Sequence, residues 1–176
     1  MSSAPLNVGT TGRRVFIGKL AGTSVFDPLG EKVGVIHDVV VTFRLNSTAN
    51  VIGFVVEVGP RKRVFLPFTR VTAIEAGSVI TTGLLNIRSF TQRPVETLVI
   101  TELFDRELTM NDGSGTVKIL DVAMQQRRPR DWIISTLHVQ RIRTTTLGFK
   151  RGGTTMTVGV DEVSSLLKTD SNQAAT

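Results

Sequence analysis

RVFIGKLAGTSVFDPLGEKVGVIHDVVV, residues Arg14 to Val41, is the stretch whose reading decides the fold. Val15, Ile17, Leu20 and Val25 lie before its centre, and Val33, Val35, Ile36, Val39 and Val41 after it. Most are β-branched residues that suit extended chain, so the stretch predicts a hairpin. Asp27-Pro28-Leu29-Gly30 supplies the reversal: Asp accepts local backbone hydrogen bonds, Pro presets φ and Gly tolerates positive φ. Gly34 and His37-Asp38 interrupt the alternation of the second arm, which predicts a bulge or a sharp barrel bend.

Outward from the hairpin, Met1 to Gly12 is small and polar and reads as a flexible leader. Asn46 to Asn50 is a turn, Val51 to Val58 a third strand, Gly59 to Arg63 a second reversal and Val64 to Phe68 its return. Pro67 cannot donate to a ladder and belongs at an edge or a strand end. Val71 to Ile74 and Val79 to Thr82 form a last pair around Glu75-Ala76-Gly77. Leu84 to Phe90 breaks the rhythm and predicts a short helical or irregular connector.

The pattern then starts again. Leu20 and Leu103 are separated by 83 residues (103 − 20), and the same offset sets Val25 on Leu108, Gly30 on Gly113, Ile36 on Ile119, Asp38 on Asp121 and Val39 on Val122. One offset held across strand, turn and strand is the mark of an internal repeat. Trp132 to Leu137 answers Val51 to Val56, and Thr154 to Val160 answers Val64 to Val71 at a different offset. Asp161 to Leu167 departs from strand grammar and predicts a short C-terminal helix. The fold class expected is all-β: two tandem small barrels packed together through a short connector. The boundaries expected are leader 1–12, first barrel 13–83, connector 84–96, second barrel 97–167, and a tail at 168–176 that reads as cut off from a longer chain.

The charge balance is +6, from 21 Lys and Arg against 15 Asp and Glu. It favours anionic partners: acidic protein, an anionic membrane surface or nucleic acid. Aromatic content of 6%, without tyrosine, supplies poor platforms for base stacking and makes RNA the weaker candidate. No cysteine is present, which removes disulfides, thiolate zinc sites and thiol nucleophiles. Met1 to Gly12 shows no secretory signal, and the longest uncharged run, Ala76 to Ile87, is too short for a spanning helix of about 20 residues. Cytoplasm is the expected compartment, with the inner face of the membrane as a variant of it.

The strand, D-x-x-G, the G-x-x-x-D-V of Gly34 to Val39, the V-I-G-F-V-V strand and the V-F-L-P-F segment together resemble the PRC-barrel. That family includes the photosynthetic reaction centre H subunit and the ribosome maturation factor RimM. The second copy fits through Asp112-Gly113 and Ile119-Leu120-Asp121-Val122 but lacks a counterpart of Pro67. Thr81 to Arg88, Arg130 to Trp132 and Asp161 to Leu166, in that order, are similar to the N-terminal region of actinobacterial proteins related to MgtE-type magnesium transporters with CBS domains. The resemblance implies a regulatory or protein-interaction accessory module whose partner is a protein or a neighbouring domain of its parent chain. A RimM-like module binding ribosomal protein or RNA is the alternative.

No catalytic, cofactor-binding or metal set is expected. Asp27, Asp38, Asp112 and Asp121 read as turn and strand-end acceptors, and His37 and His138 lie in different copies. Gly148 to Gly153, with Lys150 and Arg151, lacks P-loop spacing. Cations cluster in the turns, and the candidate interaction surface is Arg61, Lys62 and Arg63 with Arg127, Arg128, Arg130 and Trp132, since Arg and Trp are favoured interface anchors.

Overall fold

Alternating β-branched residues pair into strands wherever a partner lies within reach, and here the reach extends across the repeat. The computed structural model describes residues 12–44, 48–83 and 88–166, and in it twelve strands join one sheet. The first unit comprises β1 (Arg14–Phe16), the single turn α1 (Ile17–Leu20), β2 (Ser24–Phe26), β3 (Lys32–Phe43), β4 (Ala49–Val58), β5 (Lys62–Pro67), a 3-10 turn (Phe68–Arg70), β6 (Val71–Glu75) and β7 (Ser78–Thr81). The second comprises β8 (Glu96–Leu98), a π turn (Val99–Leu103), β9 (Glu107–Thr109), β10 (Thr116–Arg128), β11 (Asp131–Thr144), β12 (Lys150–Gly159) and a 3-10 turn (Val160–Glu162). The all-β expectation holds. The expected leader up to residue 11, the centre of the turn before β4, the connector's residues 84–87, the last residue of the expected second barrel, 167, and the tail 168–176 lie outside the described residues.

The opening arm is not one strand, as its apolar spacing predicts. It breaks at Ile17 into a helical turn, closed by the Thr23 hydroxyl donating to the Lys19 carbonyl and by Gly22 at φ +77°. Only Ser24–Phe26 returns to pair with β3. The reversal after it forms as expected, with Asp27 Oδ1 accepting from the amides of Leu29 and Glu31 at 2.9 Å each. The C-terminal helix amounts to the one 3-10 turn, after which Val163 bridges to Met110.

Freed from the hairpin, β1 pairs antiparallel with β10 of the second unit, Phe16 opposite Ala123. β8 pairs in the same way with β3 of the first, Leu98 opposite Val40. The units thus exchange their leading strands. Where they meet at β4 and β11, Asn50 stands opposite Ile133, its own counterpart at the offset of 83 (133 − 50), so a local two-fold axis passes between them. Before the helical turns the offset is 82 (99 − 17), and the change to 83 falls in the π turn, which is an α turn with one residue inserted.

Two irregularities repeat at the same offset. His37 and Leu120 are the extra residues of one bulge, Ile52 and Ser135 of another. The first bulge delivers Asp38 and Asp121 to the junction, where each carboxylate holds the other unit's helical turn. Asp38, fully buried, accepts from the amides of Val39 and Ile100 at 2.7 Å, from the Thr101 amide at 3.0 Å and from the Thr101 hydroxyl at 2.7 Å. Asp121, partly exposed, accepts from Val122 at 2.8 Å and Gly18 at 2.9 Å. One apolar cluster runs through both units, with Ile17, Leu20 and Val39 joined to Val99, Leu103 and Val122.

Shared core and exchanged strands predict one cooperative urea unfolding transition for the intact chain. A fragment of residues 12–83 loses the strand over Val40–Thr42 and is expected to show no cooperative transition by circular dichroism. Asp38→Asn is expected to destabilise the chain by about 3 kcal/mol and Asp121→Asn by about 1 kcal/mol, reflecting the number and burial of the bonds lost. Equal losses in the two variants would contradict the asymmetry.

Candidate interaction surface

The carboxylates singled out by the sequence are occupied by backbone donors. Asp38 and Asp121 lie within strands at bulges, not at strand ends as expected, because the extra residue of each bulge turns the next side chain inward. Asp112 Oδ1 accepts from the Ser114 amide at 2.8 Å, and hydrogen bonds from Ser114, with the charge of Arg141 nearby, hold its carboxyl below the ordinary range. His37 lies 3.9 Å from Glu57, and His138 stands opposite Asp121 in the β10–β11 ladder. Among the described residues no three His, Asp or Glu side chains gather as a metal site would require.

The cations gather at hairpin ends: Arg61 and Arg130 lie in the reversals, and Lys62, Arg63, Arg127 and Arg128 in the strand ends beside them. Arg61, Lys62 and Arg63 sit at the β4–β5 reversal, all exposed, with Arg61 held at φ +64° and Arg63 3.9 Å from Glu57. Arg127, Arg128 and Arg130 surround the β10–β11 reversal. There Arg127 contacts Asp131 at 3.2 Å, Arg128 stands opposite Asp131, and Arg130 takes φ +65° after Pro129. Trp132 is a core residue: it is 6% exposed, and its ring lies 5.9 Å from that of Phe68, which meets Phe54 edge-on at 5.6 Å. It therefore anchors the turn from below and is not an open face.

The two clusters are not brought together. The β10–β11 turn adjoins the start of β4 through the Asn50–Ile133 pair, and the Arg61 turn follows the far end of that strand, about 25 Å away at ~3.3 Å per residue. Each borders its own cleft. Arg130 and Trp132 line one of about 490 Å³ with Arg13, Phe68, Ile74 and Glu75, beside the sheet-edge strand β6. Arg61–Arg63 line a second with Ser89 and Phe90, continued by a third of about 620 Å³ that adds Phe65, Arg88 and Arg93.

The contributions of Arg88 and Arg93 are missed by sequence reasoning, because the connector reads as irregular. Its described part runs along β5: Ser89 bridges to Val64, the Phe90 amide donates to the Arg63 carbonyl at 2.8 Å, and the Phe90 ring lies 6.2 Å from Phe65. The available signal is Phe90 itself, an apolar residue between two arginines.

Residues 13–84 match the PRC-barrel domain, and residues 97–169 match the Actinomycetes SH3 domain. The PRC-barrel resemblance of the first unit stands on that match. Neither match lends support to a relation with MgtE transporters or CBS domains. No curated protein matches the chain.

Thermal unfolding separates anchor from surface. Trp132→Ala is expected to cost about 3–5 kcal/mol, as truncation of a buried aromatic does, whereas Arg127→Ala, which removes an exposed ion pair, is expected to cost under about 1 kcal/mol. Arg130→Gly, which relieves a left-handed backbone, is expected to stabilise by about 1 kcal/mol.

Proposed function

We propose that this chain is a non-catalytic interaction module in which two small β units act as one rigid body and dock a partner through their cationic turns. The observation that carries the proposal is the division of charge. The four candidate aspartates accept backbone hydrogen bonds, while Arg61, Lys62 and Arg63, and Arg127, Arg128 and Arg130, stand exposed in or beside two hairpin reversals. Matches to two small domain families of a kind that generally binds protein support it.

Within that reading, units at 13–83 and 97–167 form the accessory region of an MgtE-related magnesium transport or sensing protein. Neighbouring domains of the parent chain are its first candidate partner. The order of the Thr81–Arg88, Arg130–Trp132 and Asp161–Leu166 motifs supports this. Among the described residues no helix is long and apolar enough to cross a membrane. We place the module in the cytoplasm, with the inner face of the membrane as a variant of that placement. The RimM-like alternative, binding ribosomal protein or RNA, draws on the net charge of +6.

Charge reversal tests the docking role. Arg127, Arg128 and Arg130 changed together to Glu, and separately Arg61, Lys62 and Arg63 changed to Glu, are expected to release captured protein partners in a native pull-down while circular dichroism stays unchanged. Full retention of every partner by both triple variants would remove the cationic turns from the proposal. A salt-sensitive RNA gel shift at low ionic strength would favour the alternative instead.

A further inference from the structure

The two units are alike along the local two-fold except where one has been lengthened. In the β4–β5 hairpin Val58 and Lys62 enclose a three-residue turn, Gly59–Arg61. In the β11–β12 hairpin the strand offset has grown from 83 (137 − 54) to 92 (158 − 66), so nine residues (92 − 83) have been added beyond the repeated frame. The extension spans residues 142–153 and, beyond Ile142, which still pairs with Thr116, runs on as a two-stranded finger closed at Thr145–Phe149 by backbone bonds and by Gly148 at φ +83°.

What the finger carries is unlike the rest of the surface. Leu147 and Phe149 at its tip are 83% and 68% exposed, two of the four large apolar side chains left open among the described residues. Behind them, past the Thr144–Lys150 pair, Arg143 and Arg151 face each other across the ladder. Like charges directly opposite destabilise a sheet pair, and neither arginine makes an ion pair among the described residues. Lys150 is held by Glu107 at 2.9 Å, and Arg141 donates to the Ser114 carbonyl at 3.1 Å. From Trp132 to Val160 the chain contains no acidic residue. Among the described residues the native fold thus holds an arginine pair without a counter-charge, against its own repulsion, beneath two exposed apolar side chains.

We propose that this finger docks on an anionic lipid bilayer, with Leu147 and Phe149 entering the boundary between headgroups and acyl chains and Arg143 and Arg151 binding lipid phosphates. Dimensions and charge both select this occupant. Arg143 and Arg151 stand within about 10 Å of the tip at ~3.3 Å per residue, which suits an interfacial element buried about 5–10 Å. A convex, narrow tip offers apolar area to a yielding layer, and basic residues near a bilayer are drawn to its negative surface. The docking surface is separate from the two cationic turns above, so neither proposal depends on the other.

The test is co-sedimentation of the full chain with vesicles of equimolar phosphatidylglycerol and phosphatidylcholine, against phosphatidylcholine alone. Binding is expected only with the anionic vesicles and is expected to weaken with salt. Leu147→Ser with Phe149→Ser is expected to lower partitioning at least about tenfold, and Arg143→Glu with Arg151→Glu to abolish the preference for phosphatidylglycerol, with circular dichroism unchanged in both. Phe149→Trp reports insertion directly, because native Trp132 is buried and gives a constant background; a blue shift of the variant's emission on adding anionic vesicles is expected. Failure of the wild-type chain to bind anionic vesicles at low salt, equal binding by the serine variant, or an unshifted emission from the Phe149→Trp variant would each overturn the proposal. RNA or acidic-protein binding through the finger without vesicle binding would overturn it too.

Discussion

A carboxylate with no exposure in the middle of a strand is held in place only if donors surround it, and Asp38 receives four hydrogen bonds, three of them from the second unit. Those donors are the amides of a short helical turn and the hydroxyl of Thr101. The first amides of any helical turn lack partners within it. Each side of the junction therefore supplies what the other lacks, and Asp121 with Gly18 repeats the arrangement in reverse. At Gly18 the requirement is space, since a Cβ there would stand 2.7 Å from a carboxylate oxygen of Asp121. Strand exchange follows from the same contact, because the turn that meets the aspartate also directs the strand before it onto the partner's sheet.

Much of this architecture is legible in the sequence. Alternation locates the strands, Asp27-Pro28-Leu29-Gly30 locates the first reversal, and the offset of 83 announces two related units. The interruption at His37-Asp38 identifies the bulge. The exchange is not legible, for a physical reason: Val15 and Phe16 present the same period-two pattern whether they pair with their own unit or the other. Hydrophobic spacing says that a strand is buried and leaves open against what. The role of Asp38 is hidden likewise, since its donors Ile100 and Thr101 lie more than sixty residues away.

The candidate surface is legible in a different measure. Arginines and lysines in turns are read correctly as exposed, because reversals leave the sheet and solvated charge belongs there. Trp132 reads as a surface anchor from its arginine neighbours, yet strand alternation places it inward on Phe68. Arg88 and Arg93 escape notice because the connector that carries them has no periodicity; one bridge and one backbone bond lay it along β5.

A two-fold junction demands sameness where the units touch and permits difference elsewhere, and the differences fall accordingly. The bulges, the aspartates and the helical turns keep their positions in both units. Among the described residues the β6–β7 hairpin follows the 3-10 turn only in the first unit, the β11–β12 extension belongs only to the second, and Pro67 is answered by Gly159. Residues that merely maintain the fold have reason to recur, since each faces the same neighbours twice. Leu147 and Phe149, with Arg143 and Arg151 opposed behind them, appear once, at the far end of a hairpin, and stay exposed. The fold gives such side chains no reason to recur, which is why we seek binding at the asymmetric additions as well as at the cationic turns.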